Sequence, residues 1–258
     1  MDLRELANII YEAEINKEQI TAITKLYPEM TMDEAYRVQF INVERRKESG
    51  ESLKGMKVGL TSVAAQKNFG VNEPIYGHLF EKMLAKDGEC FSMSGLKQPL
   101  VEGELTFCLA QELQGPGVSD KDVIAATEYI VPSIEIVDTR YLGKDVTLID
   151  TVADNSSSTF LVLGSQKISP NFLDMQTTGM ILDKNGALIN SGAAAVVMGS
   201  PAKAVAWLAN ALAEYNLSLP KGCLITSGAF TAAQNAQAGD IFSVSFTGME
   251  PVTVSFTK

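Results

Sequence analysis

Two textures of apolar and polar positions follow one another along the chain. Over residues 2–26, Leu3, Leu6, Ile9, Ile10 and Ala13 recur at helical spacing among good helix formers. Thr31-Met32-Asp33-Glu34 has the pattern of a capping box, with Thr31 as N-cap and Glu34 three residues on. A helix then runs through Ala35, Val38, Ile41 and Val43 towards Arg45-Arg46-Lys47 and stops near Ser49-Gly50. Residues 1–54 therefore read as a helical N-terminal region, and 55–258 as the main domain. At Gly55 the period shortens. Gly55 to Ser62 predicts a short strand, then a helix cap at Thr61 or Ser62, and Asn72 to Gly77 predicts a loop, by its proline and glycine.

Further on, Leu100 to Phe107 and Tyr129 to Asp138 read as strands, with a helix from Ser119 to Glu128 between them. Asp150 to Ser158 is a run of small polar residues, expected as a surface loop. Phe160 to Leu163 is a strand, and Met180 to Ile189 a hairpin turned at Asn185-Gly186. Pro201 to Tyr215 is an amphipathic helix with proline in its first turn. Strands follow at Cys223–Thr226, Ile241–Phe246 and Val252–Phe256. Mostly β with a few helices, without βαβ alternation, predicts an α+β fold.

One strand carries chemistry. The period of two puts Glu102 and Glu104 on the same face, where like charges repel and burial unpaired is costly. Alone, Glu-x-Glu reads as a solvated strand face. Glu135, set among Ile and Val, shifts the balance to a site for a hard cation such as Mg²⁺ or Mn²⁺. Lys57 lies between apolar neighbours. Its stem permits snorkelling to the surface, the reading the sequence alone favours, or a cation pointing into a cleft.

Net charge of −10 argues against nucleic acid as a partner. Three unspaced cysteines, Cys90, Cys108 and Cys223, suggest neither a zinc site nor a disulfide framework. The chain has one histidine, His78, expected to be half-exposed and packing, so mechanisms needing a histidine pair are excluded. Without a signal peptide or an apolar run of spanning length, a cytoplasmic protein away from membranes is expected.

These residues carry a resemblance. The series Tyr27-Pro28-Glu29-Met30-Thr31, Lys57-Val58-Gly59-Leu60-Thr61-Ser62, Glu102-x-Glu104, Glu135 through Tyr141, Val152-Ala153-Asp154-Asn155 and Ser227-Gly228-Ala229 is similar to the 2-keto-4-pentenoate hydratase / 4-oxalocrotonate decarboxylase family. That family lies within the fumarylacetoacetate-hydrolase-like superfamily. The resemblance implies a mixed β-roll or sandwich with outer helices. It implies that Glu102, Glu104 and Glu135 hold Mg²⁺ or Mn²⁺, and that Lys57 is catalytic and faces a 2-oxo acid. It implies a homo-oligomer and association of decarboxylase with a sister hydratase. Ile75, Arg140, Asp154, Asn155, Ser156 and Ser227 are the candidate substrate-binding residues, a structural salt bridge being the stronger reading for Arg140.

Pro74-Ile75-Tyr76-Gly77 and Asp138-Thr139-Arg140-Tyr141 look like the decarboxylases, whereas hydratases typically have Asp where Ile75 stands. Asp150-Thr151-Val152 is closer to the hydratases, and Ser227 replaces a more usual Thr. The implied reaction is decarboxylation of 2-oxohex-3-enedioate, a vinylogous β-keto acid, to 2-hydroxypenta-2,4-dienoate, with the cation as Lewis acid. Hydration of 2-hydroxypentadienoate, hydrolysis of an acylpyruvate and a non-catalytic partner subunit are the alternatives. The absence of a histidine near the motif counts against the hydrolase.

Overall fold

The computed structural model describes residues 2–143 and 145–258. The chain opens with α1 (Leu3–Ile15), α2 (Ile23–Leu26) and α3 (Met32–Glu48), followed by β1 (Leu53–Gly59), α4 (Val63–Phe69), β2 (Ile75–Phe80), β3 (Leu84–Lys86) and β4 (Glu89–Ser92). The central part holds β5 (Leu100–Leu109), α5 (Asp120–Ala126), β6 (Thr127–Val137), α6 (Leu148–Ala153) and β7 (Ser158–Leu163). Then come β8 (Gly179–Lys184), β9 (Ala187–Ala193), α7 (Pro201–Ala213), β10 (Leu224–Thr226), β11 (Gln234–Asn235), β12 (Ile241–Phe246) and β13 (Val252–Thr257).

Two sheets result. The larger runs β2-β1-β10-β5-β6-β7-β3, with β11 on β5; the smaller runs β4-β13-β12-β8-β9. Among the described residues, the strands pair in parallel at β1/β10, β3/β7 and β4/β13 and otherwise antiparallel, so the architecture is the mixed roll expected. One face of β5 and β6 turns to the smaller sheet through Val101, Leu105, Ile134 and Ile136, all essentially buried. Gly103 belongs to that face. A Cβ there would stand 2.9 Å from a Val244 methyl, so the sheets approach this closely only over glycine. The same core takes in Leu6, Ala7, Ile10 and Val38, so the N-terminal helices share it.

Local signals explain most boundaries. Thr31 and Glu34 form the capping box that starts α3. Ser62, not Thr61, caps α4, and Ser119 caps α5. Asn185 and Gly186 turn the β8–β9 hairpin with positive φ at both. The helical reading of 2–26 breaks after Ile15, where Lys17 takes φ 54°.

Four expectations are corrected. The segment expected as a loop through Gly77 becomes strand at Ile75, and all six residues of β2 are buried. A strand covered on both faces loses the alternation that would betray it. His78 is accordingly buried, not half-exposed. Asp150 to Ser158 is no surface loop. Thr147 and Asp150 make a capping box for α6, and Asp150, Asp154 and Ser156 are buried. Asp150 also accepts from the Thr24 backbone N–H at 2.9 Å, tying α6 to α2. Finally, Ala194–Ala213 does reach spanning length by composition. It contains a 3₁₀ turn, a left-handed Met198 and Gly199, and then α7, whose apolar residues lie in the core. The 13 residues of α7 extend only about 20 Å.

Candidate metal centre

The site lies on the face of the larger sheet opposite the one that meets the smaller sheet, and strand register builds it. Gly77 on β2 pairs with Lys57 on β1, Lys57 with Thr226 on β10, and Thr226 with Thr106 on β5. Residues paired across a ladder share a face, and so do residues two apart along a strand. Lys57, Thr226, Thr106, Glu104 and Glu102 therefore form one polar row, with Ile75 and Gly59 at its end. β6 completes it: Glu135 pairs directly with Glu102, and Ser133 with Glu104. Two carboxylates directly opposite one another destabilise a sheet unless something neutralises them.

Carboxylate oxygens from Glu102, Glu104 and Glu135 lie within 4.8 Å of one another. Glu104 and Glu135 are each 1% exposed, and Lys57 is 4% exposed, so the lysine does not snorkel outwards. Lys57 Nζ stands 3.0 Å from Glu135 Oε1 and donates to the Ser156 carbonyl at 3.0 Å. Glu135 Oε2 has no hydrogen-bond partner, and Oε1 meets only the Lys57 ammonium. Three converging carboxylates, one with a buried oxygen left unpartnered, form an all-oxygen donor set that fits Mg²⁺ or Mn²⁺.

Glu104 is the most firmly held. Thr226 Oγ1 hydrogen-bonds its Oε2, and the Gly228 N–H donates to the same oxygen at 2.8 Å. Gly228 reaches it with φ +109°, and a Cβ there would collide with the Thr61 hydroxyl. Burial, reinforced by Glu135 and Glu102, still pushes Glu104 well above the ordinary carboxylate range. Burial and then Glu135 raise Glu102 to about 7, against the pull of Lys57. For Lys57, burial acts downwards, but Glu135, Glu102 and Glu104 outweigh it and hold the ammonium above its usual value.

The signs give a prediction. A cation binds the carboxylate form, and protons compete for Glu102 below about 7. Mg²⁺ affinity in calorimetric titrations is expected to tighten steadily from pH 5.5 to 7.5, with proton release on binding. An affinity flat across that range counts against it.

The other candidates are placed unevenly. Ile75 meets Gly59 beside the Lys57 stem: a Cβ on Gly59 would lie 3.2 Å from Ile75 and 3.7 Å from Lys57 Cε. Ser156 touches Lys57 through its carbonyl, while its hydroxyl goes to the Tyr76 carbonyl at 2.6 Å. Asn155 spends its amide on the His78 backbone. Ser227 Oγ is buried beside the Glu104 anchor without a partner. Arg140 and Asp154 turn to one another: Nε binds Asp154 Oδ1, and Nη2 donates to the Asp154 carbonyl at 2.7 Å. Burial raises Asp154 to about 6, against Arg140. Asp154→Ala would strand a buried guanidinium, with an expected cost of about 3–5 kcal/mol in urea unfolding. A loss below about 1 kcal/mol would show the pair to be dispensable.

Sequence reasoning missed Thr226, Thr61 and Gln39. Thr226 adjoins the Ser227-Gly228 signal, and only the ladder brings its strand beside the one that carries Glu104. Gln39 looks like an ordinary polar position on α3, yet is buried and donates to the Tyr76 and Val152 carbonyls at 3.2 and 2.7 Å.

The roll is the fold of the fumarylacetoacetate-hydrolase-like proteins. A solved fumarylpyruvate hydrolase from Pseudomonas aeruginosa shares the fold at TM-score 0.61 and 11% identity, over 80% of this chain and 90% of its own. Much nearer is a 4-oxalocrotonate decarboxylase from Pseudomonas putida G7, solved with magnesium and adipate. It has TM-score 0.96 and 38% identity, covering 98% of this chain and 97% of its own. Among curated proteins, a 4-oxalocrotonate decarboxylase of Pseudomonas sp. (strain CF600) is 40% identical over 252 residues, 97% of this chain and 95% of its own. A 2-keto-4-pentenoate hydratase of Paraburkholderia xenovorans (strain LB400) is 38% identical over 252 residues, 98% of this chain and 94% of its own. No family model matches the chain. The chain belongs to the 2-keto-4-pentenoate hydratase / 4-oxalocrotonate decarboxylase family.

Proposed function

We propose that the protein is a divalent-metal-dependent decarboxylase of 2-oxohex-3-enedioate, forming 2-hydroxypenta-2,4-dienoate and CO₂ in aromatic meta-cleavage catabolism. Identity alone does not separate the branches, since decarboxylase and hydratase relatives differ by only two points. The observation that carries the choice is Ile75, buried on the polar face beside Lys57. Adding water across a double bond calls for an acid or base near the distal carbons, and an isoleucine supplies neither.

Glu102, Glu104 and Glu135 hold the cation, which when bound polarises the substrate's keto oxygen as a Lewis acid. Lys57 has three N–H bonds. Ser156 takes one, Glu135 faces a second, and the third is free for the oxyanion that develops as the C5–C6 bond breaks and its electron pair moves through C3–C4. The apolar wall at Ile75 withholds solvation from a carboxylate at that end and favours its departure as neutral CO₂.

Supplying 2-oxohex-3-enedioate with Mg²⁺ should release CO₂, and chelator should stop it. Turnover of 2-hydroxypentadienoate alone, read as loss of its ultraviolet absorbance, would move the protein to the hydratase reading. The N-terminal region, 1–54, then serves as a cover over the catalytic unit, 55–258. Free thiols at Cys90, Cys108 and Cys223 suit a cytoplasmic protein. Exposed Val63, Phe172 and Leu188 suit a homo-oligomer, or a complex with a sister hydratase.

A further inference from the structure

We propose that Asn155 is a positioning residue, whose side-chain amide pins a left-handed turn onto β2 so that the Ser156 carbonyl fixes the Lys57 ammonium against the glutamate cage. The inference rests on the role given to Lys57 above. Asn155, Ser156 and Ser157 have φ of 50°, 52° and 57°. Three successive non-glycine residues in this region persist only where their surroundings over-determine them.

The surroundings do so. β2 is the edge strand of its sheet, which leaves the outward His78 N–H and carbonyl without a strand partner. Asn155 takes both: Oδ1 accepts from the His78 N–H at 2.7 Å, and Nδ2 donates to the His78 carbonyl at 2.9 Å. One amide thus stands in for a missing strand neighbour. Ser156 Oγ adds its bond to the Tyr76 carbonyl. Gln39 locks the arrangement from behind, bonding the Tyr76 and Val152 carbonyls and facing His78 Nδ1 at 2.8 Å. Gly77 makes the approach possible, since a Cβ there would lie 2.5 Å from the Asn155 carbonyl oxygen. The contacts of Asn155 and Ser156 flank the carbonyl that holds Lys57. Both polar atoms of the Asn155 side chain are thus engaged on β2.

Two substitutions in the full-length, magnesium-loaded protein press on the turn from opposite sides. Asn155→Gly keeps the left-handed backbone and deletes the amide. Gly77→Ala leaves Asn155 intact and pushes its carbonyl away. Both are expected to lower kcat at least about tenfold. KM and the calorimetric Mg²⁺ affinity should stay within about twofold of wild type, a split that general loosening of the fold would not give. A second readout needs no turnover. The Lys57 ammonium resonance in ¹⁵N-lysine-labelled protein, identified by its absence in Lys57→Met, should shift or broaden in both variants. Should Asn155→Gly fail to fold, Asn155→Asp, which keeps the acceptor and loses the donor, carries the same expectation. Unchanged kcat with an unchanged ammonium resonance overturns the proposal. A wild type inactive on both substrates would sink the decarboxylase reading instead, and the resonance would still decide the role of Asn155.

Discussion

Lys57→Met is expected to lower kcat by about 10²- to 10⁴-fold while Mg²⁺ affinity stays level or tightens. Methionine is close to lysine in length and fills the same buried slot, so packing is largely kept. What disappears is the ammonium, 3.0 Å from Glu135 and bonded to the Ser156 carbonyl. That positive charge competes with any cation for Glu135, and its removal frees the carboxylate for the metal. With the ammonium goes the third N–H, the donor proposed above for the developing oxyanion. The comparison belongs at saturating Mg²⁺, because without a cation the variant leaves three carboxylates with no counter-charge. Calorimetry beside a CO₂-release assay separates the two effects. A variant that loses metal binding but keeps its turnover at saturating Mg²⁺ would place Lys57 in the metal centre and outside the chemistry.

Glu102→Gln should act in two opposed directions. Mg²⁺ affinity falls by about 100-fold or more, since even residues that only orient metal ligands cost 10- to 100-fold when replaced. The stability of the chelator-treated protein rises at pH 8. Glu102 faces Glu135 across the β5–β6 ladder, and burial with that neighbour raises its carboxyl from 4.5 to about 7. A carboxyl raised in the folded state binds its proton more tightly there than in the unfolded chain. Stability of the chelated wild type is therefore expected to fall as pH climbs from about 4.5 to about 7. Glutamine removes that slope. Thermal unfolding of both proteins, with chelator and with Mg²⁺, checks all of this. Wild type should gain about 2.7 kcal/mol at a hundred times its Kd, and the variant at the same Mg²⁺ concentration far less. A variant less stable than wild type under chelator would show that Glu102 is held by something other than cation binding.

Much of this was legible before any coordinates. The capping box of α3, the helix start at Ser119, the Asn185-Gly186 hairpin and the spacing of Glu102 and Glu104 are local patterns, read from a few adjacent residues. The carboxylate trio was visible because Glu135 sits where an apolar strand should have no charge. What misled was burial imposed from a distance. Asn72 to Gly77 looks like a loop because it holds a proline and a glycine, and the strand that begins within it, Ile75–Phe80, is covered on both faces, leaving no alternation to see. Asp150 to Ser158 looks solvated because its residues are small and polar, and their partners, Thr24, Arg140, Tyr76 and His78, are more than a dozen residues away or unrecognisable as partners.

By itself, then, the amino-acid order determined the helices and their caps, the strand that carries two glutamates on one side, and the kinship of the chain. Those depend on backbone preference and side-chain period, which act over one or two turns. Only the folded sheet decided that Lys57 points inwards, that Thr226 and Gly228 hold Glu104, and that the turn at Asn155 closes over β2. These contacts join residues 77 to 124 positions apart, and strand order and register, not local preference, set which side chains meet across such distances.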